Sequence, residues 1–202
     1  MTDLISNVTR RQVMAGMGAS VFALMASALP AFAFSEGDAR KLIDKAVADI
    51  NGIINSGKSE GAMLNDFERI FSRYADVSTI SRSVLGPPAR SASAAQLSGF
   101  AKAFQTYISR KYGRRFREFI GGRVEVNSTR AVKSFYEVNC TTILKGEAPF
   151  KVTFVVAAQS GRFIDISIEG ISLLKAERAE VGAMLDQRRG DINALIRDLP
   201  KL

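Results

Sequence analysis

The residue types that most often run enzymes are scarce in this sequence. It has no histidine and one cysteine, Cys140. Zinc and transition-metal sites draw on His and Cys donors, so those sites are nearly closed to it. Triads that use His as the base are closed outright. A lone cysteine forms no internal disulfide, so the fold must stand on its core. Cys140 falls on the same side of a strand-like stretch as Tyr136 and Val138, and reads as a small buried hydrophobe. Carboxylate, lysine and tyrosine chemistry remain. Asp165 and Glu169 share one side of an alternating stretch, roughly 13 Å apart by strand rise. That is too far for a glycosidase carboxylate pair, and the two read as a solvated strand face. No Gly-rich loop of a phosphate-cradling pattern occurs.

Charge offers a different chemistry. The formal net charge is +8, with much of the excess in Arg110, Lys111, Arg114, Arg115 and Arg117. Such a balance favours anionic partners: a membrane surface, an acidic protein face or nucleic acid. The start of the chain narrows the choice. Thr9-Arg10-Arg11 precedes an uncharged apolar stretch that closes on Ala31-Phe32-Ala33. A basic start, an apolar middle and a small-x-small end make residues 1–33 a cleavable export signal. The twin arginine points to the Tat route, with an ordinary Sec signal as its rival. The stretch is long enough to anchor in a membrane, but its glycines and Ala-x-Ala end favour cleavage. Periplasmic export leaves nucleic acid out as a partner. Residues 34–202 then make a single domain by length.

The elements that must position any site change character halfway along. Ser35 or Asp38 caps a helix carrying Leu42, Ile43, Ala46, Val47 and Ile50 at helical spacing. A second helix presents Met63, Leu64, Phe67, Ile70, Phe71 and Tyr74. A short third runs from Asp76 through Val84 to Gly86-Pro87-Pro88. The longest pattern starts at Ser93 and carries Leu97, Phe100, Phe104, Tyr107, Ile108, Tyr112, Phe116 and Phe119 to Gly121-Gly122. Period two then takes over in four runs, 123–128, 134–145, 151–158 and 162–173. In the last, Ile164, Ile166 and Ile168 point inward and Asp165, Ser167 and Glu169 outward. Two helices close the chain, at 177–188 and 191–199. The expectation is an α+β fold: an antiparallel four-stranded sheet with helices packed on one face.

That arrangement has apolar residues to spare. A sheet face with Val138, Phe154, Val156, Ile164, Ile166 and Ile168 opposes helices with Phe67, Phe71, Tyr74, Val84 and Leu185. The long helix adds Leu97, Phe100, Phe104, Tyr107 and Ile108. Such a shell either closes into a core or leaves an apolar ligand cavity between the layers. Three functions follow from it: a lipid carrier, an isomerase-like enzyme on a cone-shaped α+β fold, or an assembly partner without ligand. The enzyme would need a carboxylate turned into the cavity beside a tyrosine.

One segment is more particular. Gly161-Arg162-Phe163-Ile164-Asp165-Ile166-Ser167-Ile168-Glu169-Gly170-Ile171-Ser172-Leu173, with Arg178 beyond it, resembles a signature of the MlaC-like family. These are periplasmic phospholipid-binding proteins, also called toluene-tolerance auxiliary components. Asp76 to Gly86, Gln96 to Phe100 with Phe104 and the stretch 107–112, and Asp191 to Ile196 resemble further family segments in the same order. The resemblance runs from Asp38 to Pro200. It implies a shuttle carrying phospholipid by its acyl tails. The implied partners are an outer-membrane lipoprotein complex and an inner-membrane ABC transporter with an MCE-domain ring. It implies no catalysis, no metal and no cofactor beyond the lipid cargo. Phe163 stands where the family usually has Trp, which leaves its hopanoid-associated branch as the alternative.

Overall fold

The computed structural model describes residues 34–202, without the side chains of Phe116 and Arg117. The export signal assigned to residues 1–33 lies outside the described residues. Helix α1, Glu36–Ile54, starts at a reciprocal cap: the Ser35 hydroxyl accepts the Asp38 N–H at 3.2 Å, and the Asp38 carboxylate accepts the Ser35 N–H at 3.1 Å. It buries Ala39, Ile43, Ala46 and Val47, one stripe of a 3.6-residue period. Helix α2, Glu60–Tyr74, is capped by Ser59, and α3, Val77–Leu85, by Asp76. Gly86, at φ +70°, ends α3 in a conformation costly for other residues, and the Arg178 guanidinium lies over it.

Helix α4, Ala94–Gly113, repeats the reciprocal cap with Ser93 and Gln96. It stops short of the helix read through Phe119. Residues Arg114–Phe119 tighten into a 3₁₀ segment instead. Gly113 marks the change. A Cβ there would stand 2.4 Å from Leu64 Cδ2, so the missing side chain lets α2 press against the end of α4. Glycine also holds a helix poorly.

The sheet has five strands rather than four, in chain order: β1 Arg123–Val132, β2 Phe135–Ile143, β3 Phe150–Ala157, β4 Arg162–Ile168 and β5 Ile171–Ser172. All pairs are antiparallel. The run 162–173 divides at Glu169 and Gly170, whose φ values of +49° and +81° turn the chain back onto β4. Helix α5, Leu173–Gln187, therefore begins at Leu173, with the Ser172 hydroxyl accepting the Lys175 N–H at 3.1 Å. Helix α6, Ile192–Asp198, and a 3₁₀ turn, Leu199–Lys201, follow.

A β-bulge corrects the phase of β4. Val155 pairs with Asp165 but Val156 pairs with Phe163, so Ile164 is an extra residue. Strict alternation with Ile164 inward would turn Phe163 outward. The bulge brings it in instead, 5% exposed, with its ring 6.0 Å from Phe71 and 5.8 Å from Phe154. One core cluster joins the first half of α4 to residues of the sheet, α5 and α6. Phe100 and Phe104 stack at 5.9 Å, and Val138, Val156, Val181, Leu195 and Leu199 are wholly buried. Cys140 is buried too, and burial pushes its thiol up to about 12, so it is an inert core residue.

Candidate functional site

Beside this core the layers part. A cavity of about 520 Å³ lies between the sheet and the helices, inside the range of small-molecule sites. Strands β3 and β4 supply Phe150, Val152, Phe154, Phe163, Ile166 and Ile168. Helices α1 to α3 supply Val47, Ile50, Phe67, Ile70, Phe71, Ile80 and Val84. The second half of α4 supplies Phe104, Ile108, Ser109 and Tyr112, and the first turn of α5 Leu173, Leu174 and Glu177. Arg115, Glu118 and Glu147 are exposed where they line it and so sit at its rim.

Of the residues assigned to such a cavity from sequence, Phe67, Phe71, Val84, Phe104, Ile108, Phe154, Ile164, Ile166 and Ile168 line it. Tyr74, Leu97, Phe100, Tyr107, Val138, Val156 and Leu185 do not. Phe100, Val138, Val156 and Leu185 belong to the filled core, with Leu97 packed against it. The two tyrosines are buried with engaged hydroxyls: Tyr74 donates to Asp49 at 2.7 Å, and Tyr107 to Glu180 at 2.9 Å. Phe163 was hidden by the bulge. Leu173 and Leu174 were hidden because α5 starts earlier than its pattern shows.

Two carboxylates define the polar wall. Asp165, expected to face away, lines the cavity. Its oxygens are already committed: Oδ1 accepts the N–H groups of Ile166 at 2.8 Å and Leu174 at 2.9 Å, and Oδ2 accepts the Ser172 hydroxyl at 2.6 Å. Asp165 thus ties β4 to the start of α5. Glu169 accepts the Lys151 N–H at the exposed end of the sheet. Glu177 is the residue the sequence reading missed. It is 3% exposed, and its Oε1 accepts from Lys111 at 2.8 Å and Tyr112 at 2.6 Å. Its signal was its place one helical turn before the buried Val181 and two before Leu185.

Lys111 also donates to Glu180 and to the Tyr107 hydroxyl. Burial alone would lower the Lys111 pKa, but its hydrogen bonds to Glu177, Glu180 and Tyr107 outweigh that and hold it well above its ordinary value. Burial, then the Glu177 carboxylate, raises Tyr112 well above the usual phenol range. Burial likewise raises Tyr107. The lysine therefore stays charged and the phenols stay protonated at neutral pH, which suits a fixed wall better than proton transfer. Among the described residues no three His, Cys, Asp or Glu gather as a metal site, and no helix is long and apolar enough to cross a membrane.

Known proteins place this architecture. The family model described as MlaC protein matches residues 42–201. A phospholipid-binding protein from Ralstonia solanacearum, solved in complex with a phospholipid, matches with a TM-score of 0.69. It is 20% identical, and the match covers 81% of this chain and 96% of that one. At that identity the likeness speaks for the fold. No curated protein matches the chain.

Proposed function

The chain belongs to the MlaC protein family, and from that premise we propose that it is a lipid carrier whose cavity shelters the acyl tails of a phospholipid. The observation that carries this reading is the apolar cavity of about 520 Å³ between sheet and helices. The phospholipid bound by the Ralstonia solanacearum protein of like fold supports it. The chemistry in and behind the wall supports a carrier over an enzyme: Asp165 is spent on structure, and Tyr112, with Lys111 and Tyr107 behind it, is held far from neutral titration. In this reading the export signal delivers the protein to the periplasm. There it moves lipid between an outer-membrane lipoprotein complex and an inner-membrane ABC transporter with its MCE-domain ring. The basic run from Arg110 meets anionic head groups or acidic docking faces. Purified protein, extracted and examined by mass spectrometry, is expected to release phospholipid, and lipid-free protein to take labelled phospholipid from vesicles. Protein that carries no lipid and takes up none would end the proposal.

A further inference from the structure

Two oxygens belonging to the cavity wall lack a partner. Glu177 Oε2 and Ser109 Oγ are buried and make no hydrogen bond among the described residues. The residues are 3% and 6% exposed, and both line the cavity. The third such oxygen, Thr129 Oγ1, belongs to a strand residue that does not line it. Buried polar atoms in folded proteins are nearly always paired, so an orphan pair on a ligand cavity calls for a ligand group.

The geometry holds the pair in place. Ser109 and Tyr112 are three residues apart on α4 and so share a face. Tyr112 and Lys111 fix Glu177 through Oε1 alone, which leaves Oε2 buried without a partner. The local charge chooses the ligand's polarity. One ammonium, Lys111, serves two carboxylates, Glu177 and Glu180, so the cluster carries an excess of one negative charge. A phosphate or carboxylate is repelled here, and a hydrogen-bond donor is drawn in. A plain hydrocarbon chain leaves both oxygens unsatisfied.

We propose that Glu177 and Ser109 form a hydrogen-bond subsite inside the cavity for a donor, a hydroxyl or an ammonium, carried on the apolar body of the cargo. This rests on the lipid-carrier reading, and its test separates the two. Stearate, 12-hydroxystearate and 12-aminostearate share one head group and one chain length, and each competes against a fluorescent fatty acid held in the cavity. The wild-type protein is expected to prefer one of the two donor-bearing chains over stearate by about tenfold, the scale of a hydrogen bond to a charged acceptor. Which chain is preferred tells hydroxyl from ammonium. Ser109→Ala and Glu177→Gln are expected to bring that ratio toward one. Ser109→Ala leaves the Lys111 and Tyr112 bonds to Glu177 in place, and it decides the matter if Glu177→Gln does not fold. Equal competition by all three chains in the wild type, or a preference that survives the substitutions, overturns the subsite while lipid binding stands. If neither the fluorescent fatty acid nor labelled phospholipid binds, the carrier reading fails and the subsite fails with it.

Discussion

The two halves of α4 carry the same kind of sequence and do opposite work. Leu97, Phe100, Phe104, Ile108 and Tyr112 recur at steps of three and four along it. In the first half, Gly99 lets Ile196 of α6 come close, its absent Cβ lying 3.4 Å from Ile196 Cδ1, and Leu195 and Leu199 complete a solid core. In the second half, from Phe104 to Gly113, the same helix faces a cavity. The filler is what differs: seven residues of α6 and the 3₁₀ turn after it occupy one end. Periodicity reports which face of a helix is covered. Whether the space opposite is filled depends on elements far away in the chain.

Aspartate on matched sheet positions is the harshest way to break this comparison. Val156→Asp strands a charge in the filled core and is expected to cost about 4 kcal/mol or more. Ile166→Asp is expected to cost clearly less, because the cavity leaves the carboxylate room to turn toward the rim, and to cut the lipid recovered with the protein. Thermal unfolding and lipid content read the two effects, and equal losses of stability would erase the distinction. Enlarging side chains asks the same question more gently. Val138→Phe should lose about 1–3 kcal/mol by overpacking. Ile168→Phe is expected to be near neutral, since the added ring enters the cavity. Denaturant midpoints compare them, and equal losses would mean that the space beside Ile168 is packed as tightly as the core around Val138.

The smallest effect concerns the polar seam that holds α4 to α5. The Lys111 hydrogen bond keeps the Glu180 carboxyl below its ordinary value of 4.5. A group lowered in the folded state contributes stability above its unfolded pKa, and loses it as pH falls through the folded one. The Glu180 side chain is 45% exposed, so solvent screening keeps its share below about 1 kcal/mol. Glu180→Gln should lower the unfolding temperature slightly at pH 7 and merge with the wild type once the pH falls below the lowered Glu180 pKa. A constant difference across that range would remove Glu180 from the seam.

Much of the architecture was legible because local rules decide it. Ser35, Ser93, Asp76 and Asp191 announce their helices as caps, and Gly86-Pro87 stops α3. The fifth strand escaped because Ile171 and Ser172 continue the alternation, and only the positive φ at Glu169 and Gly170 reveals a reversal. The inward turn of Phe163 escaped for a similar reason, since a bulge at Ile164 leaves no mark in a string of apolar residues. The cavity's sheet side was legible in Phe154, Ile166 and Ile168. Its polar wall was not. Glu177 and Lys111 look like surface charges until α5 is laid beside α4, and that contact spans 66 residues of chain.

Because the strands stand in space in the order they occur in the chain, each can pair with its predecessor as the ribosome releases it, without waiting for a distant segment. The first half of α4 waits longer for part of its cover. That part, Leu195, Ile196 and Leu199, is translated only after the whole sheet and α5. Phe100 therefore lacks the α6 side of its core until nearly the end of synthesis. A chaperone that guards this protein has work to do there, at a site that is covered once folding is complete.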